Sequence, residues 1–456
     1  MKKKGKTIGE VNSSPYKYSF YVPENLDYEK EFPYKPYHHL YIMHKIHTER
    51  IIHRKTIKNG YVKLNMATLQ NILHWRDTKR VLENLKKGGF IECDNHFIVG
   101  EKSRGYRLVA EYGGKTRRVE VEDRVIIRRL RRFNDSRAKL YPPKYQRLKD
   151  YLELVEIDYK KANKFIEENC TEEKYNLKRQ ALKNSSRNYL KEFNFEDWKN
   201  IYQHSVDSIY FKDDLYFVKD DTGHRVHTNI TNLPKDLRQF LSYKGERLSN
   251  LDIANSQPFM LSVILILSAK MTSTFSLENV IFNSLNKSNT SYSTPLPYSN
   301  NVSLSLNLMP EDVKRYIDLT SNGVLYEYLM QDLGECDRQE LKHKLFERVF
   351  YRDSNNKKRE FKEEKIFRSY FPTVTELIKE FKAENYKKLP IEMQRKESEI
   401  VLERIAMRIL REFPECYFLT IHDSILTPQS NGNLVKSVME EEFQKFCGIV
   451  PRIKIE

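Results

Sequence analysis

The chain has 456 residues and a formal net charge of +16, from 79 Lys and Arg against 63 Asp and Glu. That length allows two or three domains with a large core, and 12% aromatic content alongside 31% charged residues excludes a disordered chain. A basic excess of this size suits a polyanionic partner, nucleic acid above all, and the 29 tyrosines add stacking-capable rings. Cys93, Cys170, Cys336, Cys416 and Cys447 are scattered and form no CxxC pair. They argue against structural zinc and for a reducing, cytoplasmic setting. MKKKGKTIGE starts basic but carries no apolar segment for a signal peptide, and the apolar run Pro258 to Ala269 is too short for a bilayer.

In chain order, residues 1–37 read as a basic, Tyr- and Pro-bearing flexible arm. From 38 to 112, HHLYIMHKIHTERII, MATLQNILHW and RDTKRVLENLKKGGF read as three helices. Val81, Leu82 and Leu85 mark the buried face of the third, and Gly88 and Gly89 mark its end. FIECDNHFIVG and SRGYRLVAEY then alternate as a β-hairpin. Three helices followed by a hairpin resemble a winged helix-turn-helix. The candidate recognition helix carries Arg76, Lys79, Arg80, Lys86 and Lys87, which suits a DNA major groove, with protein contacts as the alternative use. Residues 113–143 form a basic linker with paired arginines, and 144–205 read as a strongly charged helical region.

From 206 to 270 the pattern is strand and turn, then the site-like stretch RLSNLDIANSQPFML, where Asp252 is a lone carboxylate between apolar runs. Asp213/Asp214 and Asp220/Asp221 read as solvated turn acids. Residues 271–309 are a Ser/Asn-rich insertion expected to be mobile. Between 310 and 386, RQELKHKLFERVFY places Arg338, Lys342, Phe346 and Phe350 at i+4 spacing along one helix face. Ile366 to Tyr386 reads as one further helix. In 387–456, IEMQRKESEIVLERIAMRILREF reads as a long helix leading into YFLTIHDSILTP, where Asp423 again interrupts apolar residues.

Together these segments resemble the single-subunit palm polymerases, the DNA polymerase I family and the phage-type RNA polymerases. LDIANSQP is similar to motif A, RQELKHKLFERVFY to motif B, IHDS to motif C, MQRKES to the helix that touches primer–template, and GHRVHT to the segment before motif A. The resemblance covers roughly Gly223 to the C-terminus. It implies an α+β fold with a right-hand core of palm (206–270 and 387–456), fingers (310–386) and a thumb-like region (144–205); the winged helix-turn-helix in front is not a feature of that family.

By resemblance, Asp252 and Asp423 are the catalytic acids, and with the Ile253 carbonyl they hold two Mg²⁺ ions, or Mn²⁺ in their place. Arg338 and Lys342 grip the triphosphate, Lys342 as a candidate proton donor to the leaving group. Phe346, Phe350 and Gln257 face the nucleotide, and Arg225, Gln394 and His422 face the primer–template. The partners implied are template and primer DNA, nucleoside triphosphates, and other replication proteins of a plasmid, phage or mobile element.

Bulky Gln257 and hydroxyl-free Phe350 favour deoxynucleotides, and hence a DNA polymerase or primase-polymerase; Ser424 follows the RNA polymerases. A single-subunit RNA polymerase and a DNA-binding initiator with an inactive polymerase-like half are the alternatives. Two departures stand out: motif A lacks the DNA polymerases' D-Y-S-Q-I-E, and motif B ends on Tyr351 where the family has Gly.

Overall fold

The computed structural model describes residues 18–456 except 53, 55–56, 58, 99–102, 139–142, 182–189, 191–192, 213–214, 270–308, 335–336 and 354–359. Asp213, Asp214, nearly all of the Ser/Asn-rich insertion and residues 1–17 of the basic arm therefore lie outside the described residues. Helices and antiparallel sheets mix throughout. Among the described residues no helix is long and apolar enough to cross a membrane. The chain divides into two compact units, Met1–Leu215 with Asn232–Leu241, and Tyr216–Thr231 with Ser242–Glu456.

In the first unit, helices Pro36–Ile52, Met66–Leu73 and Trp75–Lys87 surround a core of Leu40, Met43, Ile72, Leu73, Val81 and Leu85. The second and third helices are joined by His74 alone, held in the left-handed region at φ 70°. Strand Gly105–Leu108 pairs on one side with Ile91–Cys93 and on the other with Val62–Lys63. The order of three helices and a hairpin is the one read from sequence, with shorter strands.

The flexible-arm reading needs correction from Tyr18 onward. Ser19–Pro23 forms a strand antiparallel to Thr116–Glu120, with Phe20 and Val22 buried. That pairing spans about a hundred residues, so no local pattern announces it. The strand-and-turn reading that began at Asp207 also needs correction, because helix Phe195–Tyr210 runs through it. Val206 and Ile209 are buried there, and the Asp207 carboxylate accepts hydrogen bonds from the Tyr21 and Tyr159 hydroxyls at 3.2 and 3.1 Å.

In the second unit, strand Glu246–Ile253 is central. It pairs antiparallel with Ser424–Pro428 on one side and Ile453–Ile455 on the other, and Leu419–Ile421 extends the sheet beyond Ser424–Pro428. Helix Ser256–Ala269 follows directly and is buried on nearly every side, as its unbroken apolar sequence requires. What reads as one helix over Ile366 to Tyr386 is two, Lys362–Tyr370 and Pro372–Lys382, since proline disfavours helical backbone at Phe371. Lys388–Ser398 runs into a π-helical stretch Glu399–Ala406 and then Met407–Glu412. Gly323, at φ 72°, closes a tight approach: a Cβ there would lie 2.7 Å from the Ala254 methyl, beside the turn that follows Asp252.

Candidate functional site

Asp252 and Asp423 lie 171 positions apart in sequence, Asp252 near the end of strand Glu246–Ile253 and Asp423 in the loop that leads into the adjacent strand Ser424–Pro428. Asp252 stands opposite Ser424, and the Ile253 N–H donates to the Asp423 carbonyl at 3.4 Å. The Asp252–Ser424 pair closes this ladder, so the loop that carries Asp423 lies at the C-terminal end of strand Glu246–Ile253, beside Asp252. Asp423 ends a two-residue hairpin loop whose first residue, His422, takes φ 49°. A left-handed first position is what a right-twisted hairpin demands of its loop. On the other side of Asp252 stands Lys454.

After Ile253 the chain turns sharply through Asn255, at φ 55°, a conformation asparagine tolerates better than most residues. Its carbonyl accepts the Phe259 N–H at 2.9 Å and starts the buried helix. Arg338 reaches this turn: its Nη2 donates to Asn255 Oδ1 at 3.4 Å, its Nε donates to Glu327 at 2.6 Å, and its guanidinium lies 5.1 Å from the Tyr326 ring centre. Lys342 is exposed one turn along the same helix.

Phe346 is half-buried, but Phe350 is 1% exposed and packs edge-on to Phe367. Helix Arg338–Leu345 widens into a π-turn over Phe346–Phe350, with the Tyr351 N–H donating to the Phe346 carbonyl. The Phe350 ring stays 5.9 Å from that of Phe346 but is buried in the core, so it is not open to a nucleotide as the resemblance implied.

The residue that sequence reasoning missed is Glu397. It is 1% exposed, and its Oε2 accepts from Ser256 Oγ at 3.0 Å and Gln257 Nε2 at 2.5 Å, while Oε1 pairs with Arg225 at 2.5 Å. Burial and the Asp423 charge push its carboxyl up to about 7, against the pull of Arg225 and Gln257. One carboxylate thus ties together the turn before the sheet, the start of the buried helix and the helix Lys388–Ser398. Asp423 also acts on Tyr326, whose hydroxyl is raised first by burial, with Arg338 drawing it back. Asp423 therefore lies within electrostatic reach of both Glu397 and Tyr326.

Arg225 and Gln394 sit on opposite sides of one tight junction. A Cβ on Gly223 would lie 2.7 Å from Gln394 Oε1, Ser398 Oγ donates to the Gly223 carbonyl, and Arg395 Nε donates to that of Thr222. Asp220 builds the turn by accepting the N–H groups of Thr222, Gly223 and Arg225, with His227 Nε2 2.9 Å away. Its role is that of a turn acid, as its dipeptide context indicated. The His422 ring stacks edge-on to His227 at 5.3 Å. Arg76, Lys79, Arg80, Lys86 and Lys87 are all exposed on helix Trp75–Lys87 of the other unit.

Asp252, Asp423 and the Ile253 carbonyl are hard oxygen donors, the chemistry magnesium takes. Among the described residues no group of three or more His, Cys, Asp or Glu side chains gathers for a metal. A two-carboxylate set fits an ion that draws its remaining ligands from phosphate and water.

No protein-family model matches the chain, and no curated protein sequence does. Among solved structures, the POL domain of Pol1 from M. smegmatis, in complex with DNA primer-template and dNTP, aligns with 61% of this chain at 12% identity and a TM-score of 0.31. This chain spans about half of that one, 54%. A likeness at that level carries no argument about fold or activity.

Proposed function

We propose that the chain is a template-directed nucleotidyltransferase, a DNA polymerase or primase-polymerase, with its reacting centre at Asp252 and Asp423. The observation that carries the reading is the ladder register, with Asp252 opposite Ser424 and Ile253 bonded to Asp423, closed on one flank by Arg338. Two Mg²⁺ ions held there would lower the pKa of an attacking 3′-hydroxyl and neutralise the leaving pyrophosphate. Asp252, Asp423 and the Ile253 carbonyl would hold them.

The chain's own work is positioning. Arg338 and Lys342 present two cations one turn apart, suited to a polyphosphate. Glu397 fixes Gln257, the residue expected beside the sugar, and Arg225, expected beside the primer end. Lys342, exposed on that helix, would give a proton to the leaving oxygen. The basic helix Trp75–Lys87, with the hairpin behind it, serves as the nucleic-acid-binding part.

Primer extension tests this. Wild-type protein with primed template is expected to extend with deoxynucleotides better than with ribonucleotides, and Asp252→Ala is expected to abolish extension while retaining DNA binding. Ribonucleotide incorporation without primer would point to an RNA polymerase. Absence of extension on every template, with DNA binding intact, would leave a binding protein.

A further inference from the structure

Tyr34 and Trp75 are each 56% exposed, and each is held by specific backbone and capped by an arginine. Tyr34 lies in the turn Pro33-Tyr34-Lys35-Pro36, where Lys35 takes φ 52° and its ammonium pairs with Asp77 at 2.8 Å. That pair pins the turn to helix Trp75–Lys87. The Arg80 guanidinium lies 4.9 Å from the Tyr34 ring centre. Trp75 follows left-handed His74 directly, and the Arg76 guanidinium lies 5.0 Å from its ring. The same pairing recurs at Phe97, 51% exposed, with Arg104 at 4.6 Å. Single exposed rings are ordinary on protein surfaces. Rings pinned in place, each joined to a cation and set among exposed Arg76, Lys79 and Arg80, match the platform that unpaired bases stack on.

We propose that Tyr34 and Trp75, with Arg76, Lys79 and Arg80, form a binding site for single-stranded nucleic acid. Bases stack on the two rings while the cations neutralise phosphates. The exposed rings favour this over duplex readout by the same helix, because base faces inside a duplex are covered by their neighbours, whereas an extended single strand offers its faces for stacking. The site is independent of the Asp252–Asp423 chemistry.

The test titrates the full chain with fluorescent oligothymidylate, oligouridylate and a duplex of equal length. Tyr34→Ala and Trp75→Leu are each expected to weaken single-strand binding about tenfold, leaving its salt dependence and the duplex affinity unchanged. Lys79→Ala is expected to weaken both and to lower the salt slope. The chain has two tryptophans, and Trp198 is buried at 4% exposure, so quenching of exposed-tryptophan emission reports Trp75. The two oligonucleotides separate DNA from RNA as the ligand. Ring variants that stay folded by circular dichroism and bind single strands like the wild type would overturn the proposal, as would equal losses for duplex and single strand.

Discussion

The two units differ in how they hold buried ionisable groups. In the first, burial holds His44 and His47 well below the ordinary histidine range, His47 at about 3, with neighbouring cations and His204 acting in the same direction. In the second, burial and Asp423 hold the Glu397 carboxyl high. The first unit keeps neutral imidazoles dry and pairs its buried Asp197 with Arg50, whereas the second holds buried Glu397 between the Arg225 guanidinium and the charge of Asp423. A buried imidazole meets the cost of burial by staying neutral, whereas a buried carboxyl near a second carboxylate depends on its partners.

The largest expected effect follows from that crowding. Asp252→Asn or Asp423→Asn should lower extension by about a thousandfold or more. Asp423→Asn should not lower the melting temperature, because it removes the negative charge that acts on buried Glu397. A variant that loses activity and melts early would make these acids structural.

Next is Glu397→Ala, which strands the Arg225 guanidinium without its buried partner. Breaking such a pair costs about 3–5 kcal/mol, read as a shift in urea midpoint. Glu397→Gln keeps a hydrogen-bonding group and should cost less, while changing the ratio of deoxy- to ribonucleotide use through Gln257. An unaltered ratio would remove Glu397 from the site.

The units should then part with pH. Histidines whose pKa falls on folding take up protons first in the unfolded chain, so the first unit loses stability as pH drops from about 6.5 toward 3. Glu397 is raised on folding, so its effect runs the other way: stability falls as pH rises from about 4.5 toward 7. Hydrogen exchange resolved by region at pH 5 and pH 7 reads both. Acid that loosens Ser256–Ala269 more than Pro36–Ile52 would contradict the contrast. The smallest effect is Gly223→Ala. Its new methyl meets the end of Gln394, and displacing that flexible amide should cost about 1 kcal/mol and weaken primer–template affinity severalfold.

Much of the second unit was legible in the sequence because its signals are local. The lone carboxylate between apolar runs in RLSNLDIANSQPFML marked the strand and turn at Asp252, the interrupted run Tyr417 to Pro428 marked the hairpin that carries Asp423, and i+4 spacing marked helix Arg338–Leu345. The burial of Phe350 escaped because i+4 spacing places a residue on a stripe without saying whether that stripe meets the core or solvent. Glu397 escaped because MQRKES looks like a solvated face. A signal existed: Glu397 falls four residues after buried Met393 and three before buried Ile400, on the inward stripe, where an acid needs partners. The strand Ser19–Pro23 left no signal, since its partner lies far along the chain.

The central claim is that Asp252 and Asp423 hold divalent metal together with a nucleotide. Electron paramagnetic resonance of Mn²⁺ titrated into the protein with a deoxynucleoside triphosphate tests it directly. Bound Mn²⁺ that depends on nucleotide and is lost in both Asp252→Asn and Asp423→Asn is the result expected. Equal Mn²⁺ binding by wild type and both variants would contradict the account.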